Sequence, residues 1–165
     1  MMRNKLSKEE ITKKVFKALN PEMHYNQDIV LINALQEALK GEFQQWDLYY
    51  TYMPQIKGPA REDVIEEFEE HAEEEAKHIL TVERFLVEMG AQPTTDRKPI
   101  ERVEPTLMNI LNLQLKFEQE AVDTYTRILP LLEGNPKYSA LRIEIENILI
   151  NEKEHVQDIK LFMGQ

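Results

Sequence analysis

Two short motifs in the chain carry donor atoms at a spacing that chemistry can use. Glu75-x-x-His78 and Glu152-x-x-His155 each set a carboxylate three residues before an imidazole. On a helix, residues three apart share a face, so each pair can aim at one point. Apolar residues bracket both pairs, Ala72 and Val82 around the first, Ile148 and Ile159 around the second. Two further carboxylates fall on apolar faces: Glu42 with Leu35, Leu39 and Trp46, and Glu118 with Leu111, Leu115 and Val122. Four carboxylates converging in an apolar interior would be strongly destabilising alone, and some would take up protons. Two divalent cations would cancel the four charges, and the histidines would give each cation one nitrogen. An oxygen-rich donor set with one imidazole per ion suits iron(II) or manganese(II), and zinc can also occupy it.

A lone Glu-x-x-His is common on charged helices; the repeat makes this set specific. Glu42 is followed seven residues on by Tyr49 and five further by Pro54, and Glu118 is followed by Tyr125 and Pro130 at the same intervals. Glu42 to Glu118 spans 76 residues, while Glu75 to Glu152 and His78 to His155 each span 77. Surface charges on a plain bundle would not share helix faces with Leu, Val and Ile in this register. The repeat predicts two helical hairpins paired about a pseudo-twofold axis. One Glu from each of two helices with Glu-x-x-His from the other two is the donor pattern of di-metal carboxylate bundles.

The elements that must position these residues follow from the breakers. Pro21, Gly58-Pro59, the stretch from Gly90 to Pro105, and Gly134-Asn135-Pro136 divide the chain into five segments. Ser7 to Leu19 opens with the capping box Ser7-x-x-Glu10 and predicts a short amphipathic helix. Four longer amphipathic segments follow, each predicted helical. They run from Asp28 to about Ile56 with Leu31, Leu35, Leu39, Phe43, Trp46 and Tyr50 inward, then from Arg61 to Met89. The third runs from Glu104 to Leu132 with Pro105 in its first turn, and the fourth from Pro136 to about Met163. Pro54 and Pro130 should each kink or end a helix. The expected fold is all-α: residues 1–27 form an N-terminal extension with a short helix, and residues 28–165 a four-helix bundle.

Composition removes other classes. The 165 residues suit one domain, and the 42% hydrophobic content supplies a core. The absence of cysteine excludes disulfides, thiolate zinc, iron–sulfur clusters and cysteine nucleophiles. A formal net charge of −10 argues against whole-protein nucleic-acid binding and suits cationic partners. The opening MMRNKLSKEE has no apolar signal core, and no run of 18 apolar residues could span a membrane. A cytoplasmic protein is expected.

The sequence resembles the ferritin-like superfamily, most closely its bacterioferritin and Dps-like, or mini-ferritin, branch. LINALQEALKGEFQQWDLYY is similar to that branch's first helix and GPAREDVIEEFEEHAEEEAKHI to its second, and the likeness runs from about Ile29 to Phe162. The resemblance implies that Glu75 and Glu152 bridge two iron ions, that Glu42 and Glu118 are terminal ligands, and that His78 and His155 bind one ion each. It implies a di-iron ferroxidase that oxidises Fe(II) with hydrogen peroxide or dioxygen and stores or detoxifies iron in a homo-oligomeric cage, protecting against oxidative stress. No haem is expected, because Ala76 stands where bacterioferritins carry the haem methionine. The chain ends ten residues after His155, which leaves no fifth helix and favours a dodecamer over a 24-subunit cage. The rival reading is a non-cage di-iron or di-manganese oxidase, hydroxylase or catalase on the same bundle.

Several residues keep two readings. Tyr49 either packs in the core or hydrogen-bonds a ligand and donates an electron, with Tyr125 as its weaker repeat partner. Trp46 reads as core. Gln114, one turn before Glu118, is either a plain polar position or orients a histidine. Nine of the 14 residues from Glu62 to Glu75 are acidic, a solvated face or, through Glu66, Glu70 and Glu74, an iron-collecting one. His71 reads as a surface or core histidine, with an accessory site the alternative. Residues 1–17 hold six bases and two acids, but as an amphipathic helix, which argues against a DNA-binding arm.

Overall fold

The computed structural model describes residues 21–165, with side chains from Asp28 onward. The segment Ser7–Leu19, the basic stretch 1–17 and the His24 side chain lie outside the described residues. Four long helices make up the described residues: α1 (Pro21–Tyr52), α2 (Arg61–Glu88), α3 (Leu107–Ile128) and α4 (Ser139–Phe162). There is no strand among the described residues.

The matched prolines act as expected. α1 and α3 each stop two residues before Pro54 or Pro130, and the chain tightens into the 3-10 turns Met53–Gln55 and Leu129–Leu132. Proline offers no N–H and its ring crowds the preceding turn, so the α-helix cannot run through it. Two boundaries differ from the sequence reading. α1 reaches back past Asp28 to Pro21. Pro105 precedes α3 instead of sitting in its first turn. Thr106 is the cap, and its hydroxyl oxygen accepts from the Asn109 N–H at 3.3 Å, satisfying an otherwise unpaired donor.

α2 ends at Gly90, whose φ of +79° lets the Ala91 N–H turn back onto the Leu86 carbonyl at 2.9 Å. The chain then takes a long non-helical crossover beside α1. Gln36 Nε2 donates to the Gln92 carbonyl at 2.8 Å and Gln44 Nε2 to the Pro99 carbonyl at 2.6 Å. Arg97 pairs with Asp47 at 3.0 Å, and the Tyr52 hydroxyl accepts from the Val103 N–H at 3.0 Å. Crossover and α1 therefore run in the same direction along the bundle. α3 starts beside the end of α1, which gives an up-down-down-up bundle of two hairpins.

The buried residues form two apolar clusters, one at each end. Leu35, Leu39, Val82, Leu86, Ile145 and Ile148 belong to the first. Leu48, Phe68, Ala72, Ile110, Leu111 and Ile159 belong to the second. The inward face of α1 differs from the predicted one: Tyr50 is exposed, Phe43 and Trp46 are half-buried, and Leu48, Tyr49 and Tyr52 are inside. Trp46 packs on Tyr50 at 4.7 Å between ring centres, so its place is the rim, not the core.

Candidate metal centre

The residues between the two apolar clusters are the six donors singled out from the sequence. α1 supplies Glu42, α2 Glu75 and His78, α3 Glu118, and α4 Glu152 and His155; none is more than 4% exposed. They form two overlapping groups, Glu42–Glu75–His78–Glu152 and Glu75–Glu118–Glu152–His155, within each of which the donor atoms lie within 4.8 Å of one another. Glu75 and Glu152 are common to both. Each turns one oxygen to each imidazole. Glu75 Oε2 lies 3.6 Å from His78 Nδ1 and its Oε1 3.4 Å from His155 Nδ1. Glu152 Oε1 lies 3.1 Å from His78 Nδ1 and its Oε2 3.9 Å from His155 Nδ1. Glu42 approaches His78 Nδ1 at 3.3 Å, and Glu118 approaches His155 Nδ1 at 3.3 Å.

Without a cation this layer balances its charge with protons. Burial raises Glu42 to about 8, reinforced by the Glu75 charge, and burial with the Glu75 and Glu42 charges raises Glu152 well above the usual carboxylate range. Burial would also raise Glu75, but the facing imidazoles of His155 and His78 outweigh it and hold Glu75 low. Burial opposes a charged His155, yet the facing carboxylates of Glu118 and Glu75 push it up to about 12. His78 rises in the same way against Glu152 and Glu42. Two imidazolium groups thus stand where cations would serve the same carboxylates. The set fits a metal pair on a second ground. Glu42 Oε2, both oxygens of Glu75, His78 Nδ1 and Glu152 Oε1 are buried with no hydrogen-bond partner, and all belong to the donor layer. Groups that find no protein partner in a dry interior are costly unless something else satisfies them. These buried Glu and His side chains could hold metal ions.

Tyrosines tie the halves crosswise. The Tyr49 hydroxyl donates to Glu118 Oε1, not to Glu42 on its own helix, and the Tyr125 hydroxyl donates to Glu42 Oε1. The outer imidazole nitrogens are also held crosswise: His155 Nε2 meets Glu74 Oε2 at 2.9 Å, and His78 Nε2 meets Asn151 Oδ1 at 3.5 Å. Glu74 and Asn151 are the residues just before Glu75 and Glu152, so the repeat extends to these contacts. Neither contact was singled out from the sequence, although the repeat offset could have found it. Gln45, also missed, donates from Nε2 to Glu118 Oε2 at 2.8 Å; its position one turn after Glu42 was the available signal. Gln114 is buried, but neither its amide oxygen nor its nitrogen has a partner, so it orients no histidine. His71 is buried, and Tyr49 reaches its Nδ1 at 3.0 Å. Burial, with the His155 charge beside it, pulls His71 down to about 4.

A narrow opening of about 10 Å³ between α1 and α3 reaches the layer past Gly41, Glu42, Gln45, Ala121 and Tyr125. It has room for a water-sized molecule.

No curated protein matches the chain. Among solved structures, a ferritin-like, diiron-carboxylate protein from Bacillus anthracis superposes with a TM-score of 0.77 at 21% identity, over 82% of this chain and 96% of that one. The bacterioferritin-related protein from Bacteroides fragilis, a dodecameric thioferritin, gives 0.76 at 26% identity over 83% and 86%. A Dps protein from Bacillus brevis gives 0.76 at 13% identity over 84% and 97%. The family model for the ferritin-like domain matches residues 32–165, the stretch that holds all six donors and the crossover, and the chain belongs to the ferritin-like family.

Proposed function

We propose that this protein is a di-iron ferroxidase that oxidises Fe(II) with hydrogen peroxide or dioxygen and stores or detoxifies the ferric product in a Dps-like homo-oligomer, most simply a dodecamer. The observation that carries this reading is the sharing of Glu75 and Glu152 between two otherwise separate donor groups. In this reading Glu75 and Glu152 bridge a pair of ions, Glu42 and His78 complete one position, and Glu118 and His155 complete the other. A bound iron pair would supply two electrons at one place, enough, with two protons, to reduce one hydrogen peroxide to two waters.

The chain's own residues supply geometry and charge. The four carboxylates neutralise four positive charges in an interior that could not hold them otherwise. Glu42, Glu152, His78 and His155 give up their protons as Fe(II) enters, so cation binding replaces proton binding. Tyr49 and Tyr125 hold the terminal carboxylates from the opposite hairpin, which fixes the orientation of Glu118 and Glu42. The narrow opening past Gly41 and Ala121 suits a small oxidant better than an organic substrate. Self-association is supported by the outward faces of α2 and α4, where Leu80, Val87, Ile143 and Ile150 are each more than half exposed. The dodecameric relative from Bacteroides fragilis supports the same assembly. No described helix is long and apolar enough to cross a membrane.

Light scattering with metal analysis on the same peak tests the assembly: a dodecamer with about two irons per chain is expected after anaerobic Fe(II) loading. A monomer or dimer holding two metals would turn the reading to a non-cage oxidase or catalase. Replacing Glu152 by Gln should abolish paired binding, and an unaltered rate of Fe(II) oxidation in that variant would overturn the site.

A further inference from the structure

The opening between α1 and α3 is lined by one side chain that belongs to neither helix. Lys98 comes from the crossover and stands there with Gly41, Glu42, Gln45, Ala121 and Tyr125. The crossover is pinned on both sides of this lysine. Arg97 pairs with Asp47 at 3.0 Å and lies over the Phe43 ring at 4.5 Å, and the Pro99 carbonyl accepts from the buried Gln44 Nε2 at 2.6 Å. The Lys98 backbone is therefore held against α1, and its flexible four-carbon stem is the part left to move.

Gly41 shows where that stem ends. A Cβ added there would meet one atom alone, Lys98 Nζ, at 3.6 Å. Glycine is unfavourable inside a helix, and this one lies within a helix of 32 residues. The ammonium thus rests on bare backbone one residue before Glu42. Lys98 is half-buried and makes no ion pair among the described residues, whereas Arg97 beside it does. The carboxylates of Glu37 and Glu120 at the rim are exposed, and Glu37 already pairs with Lys40 at 2.8 Å. Lys98 is the one cation in the lining, and it is more buried than either rim carboxylate.

We propose that Lys98 is the specificity gate of this opening: its ammonium turns divalent cations away and leaves the passage to a small uncharged oxidant. A charge partly removed from water is weakly screened, and a cation crossing a space of about 10 Å³ would pass against it. Hydrogen peroxide and dioxygen carry no charge to be repelled. The inference rests on the proposed function for the identity of the two reactants. Cations then reach the donor layer by another way, and ions held there do not leave past Gly41.

Cobalt(II), whose visible absorption reports its ligands, is the probe, mixed anaerobically with the metal-free full-length protein in a stopped-flow instrument. Lys98→Met keeps the length of the side chain and removes its charge; Lys98→Glu reverses the charge. Both should still bind two cobalt ions per chain, with loading about 10-fold faster in the first and faster again in the second. Added salt should narrow the difference. Lys137→Met removes the same charge from an exposed position at the end of the bundle and should load at the wild-type rate. Lys98 is partly exposed, so its variants are expected to fold, and the two-ion stoichiometry checks this. Equal rates in the wild type and both Lys98 variants, or the same acceleration in Lys137→Met, would overturn the gate and leave the proposed function standing. Loss of cobalt binding in the Lys98 variants alone would make Lys98 a structural residue and also overturn the gate. Faster loading in the variants of a protein that does not oxidise Fe(II) would keep the gate and overturn the ferroxidase. A wild-type chain that binds no cobalt would overturn both.

Discussion

The two halves of the bundle carry the same donors but differ around them. Each half-site has a terminal Glu held by a tyrosine from the opposite hairpin and a His whose outer nitrogen meets the residue before the other half's shared Glu. Around His155 that residue is the carboxylate of Glu74; around His78 it is the amide of Asn151. Glu118 receives Gln45 as well as Tyr49, whereas the repeat position of Gln45 is Ala121, which lines the opening instead. Tyr49 continues to His71, while the matching position beside Tyr125 is Ile148, an apolar core residue. The repeated donors set what the layer can bind. The unrepeated neighbours surround the Glu118–His155 half with further polar groups and leave the Glu42–His78 half with apolar ones beside the opening.

Removing what the halves share should have the largest effect. Glu75→Gln or Glu152→Gln deprives both positions of a donor, and a loss of several kcal/mol of metal stabilisation corresponds to a fall of about 100-fold or more in Fe(II) oxidation. Stopped-flow oxidation under excess peroxide measures it.

The histidines should then separate the halves. In the metal-free protein each imidazolium offsets buried carboxylates, and truncating one member of a buried ion pair costs roughly 3–5 kcal/mol. Urea unfolding of His155→Ala and His78→Ala checks this, with His155→Ala the more destabilising because it also abandons Glu74 and the His71 stack. Equal losses would show that the Glu74 and Asn151 difference carries no weight.

The tyrosines come next. Loss of a group that orients a ligand typically lowers metal affinity or activity by ~10–100-fold. Tyr49→Phe releases Glu118 and His71, and Tyr125→Phe releases Glu42 alone, so the first should slow oxidation more. A larger effect at Tyr125 would reverse the comparison.

Acidity tests the proton balance common to both halves. His155 rises from 6.5 to about 12, so its stabilising contribution is complete below pH 6.5 and declines as pH increases above that. Glu42 rises from 4.5 to about 8, so its contribution declines across that window. The metal-free melting temperature should therefore fall from pH 6 to pH 9. Metal affinity should rise over the same range, because each ion displaces fewer protons. Calorimetry in buffers of different ionisation enthalpy would show proton release on loading; its absence would remove the imidazolium account.

The smallest effect belongs to Gln114. Its buried amide has no partner, so Gln114→Leu should leave stability unchanged or raise it by about 1 kcal/mol, read from thermal melts.

The donor set, the hairpin repeat and the helix ends at Pro54 and Pro130 were legible in the sequence because each depends on local rules. Three-residue spacing fixes a helix face, and proline stops a helix wherever it occurs. The inward face of α1 was less legible: Phe43, Trp46 and Tyr50 are apolar at helical spacing, yet α1 turns Gln45, Leu48 and Tyr49 inward instead. Hydrophobicity cannot separate a rim aromatic from a core one on a helix that is apolar on more than one side. Pro105 was misplaced because Thr106 caps α3 one residue later.

What the sequence determined by itself was an all-helical chain carrying six candidate donors in two matched sets, since periodicity, breakers and spacing act within a turn or two. Only the tertiary structure decided which residues of one hairpin hold the donor side chains of the other. The crossover beside α1 brings α3 back antiparallel to it, so Tyr49 meets Glu118, Tyr125 meets Glu42, and Glu74 and Asn151 reach the other hairpin's histidine. Those contacts join residues 69 to 83 positions apart. No local rule spans that distance, and packing of the two hairpins against each other sets it.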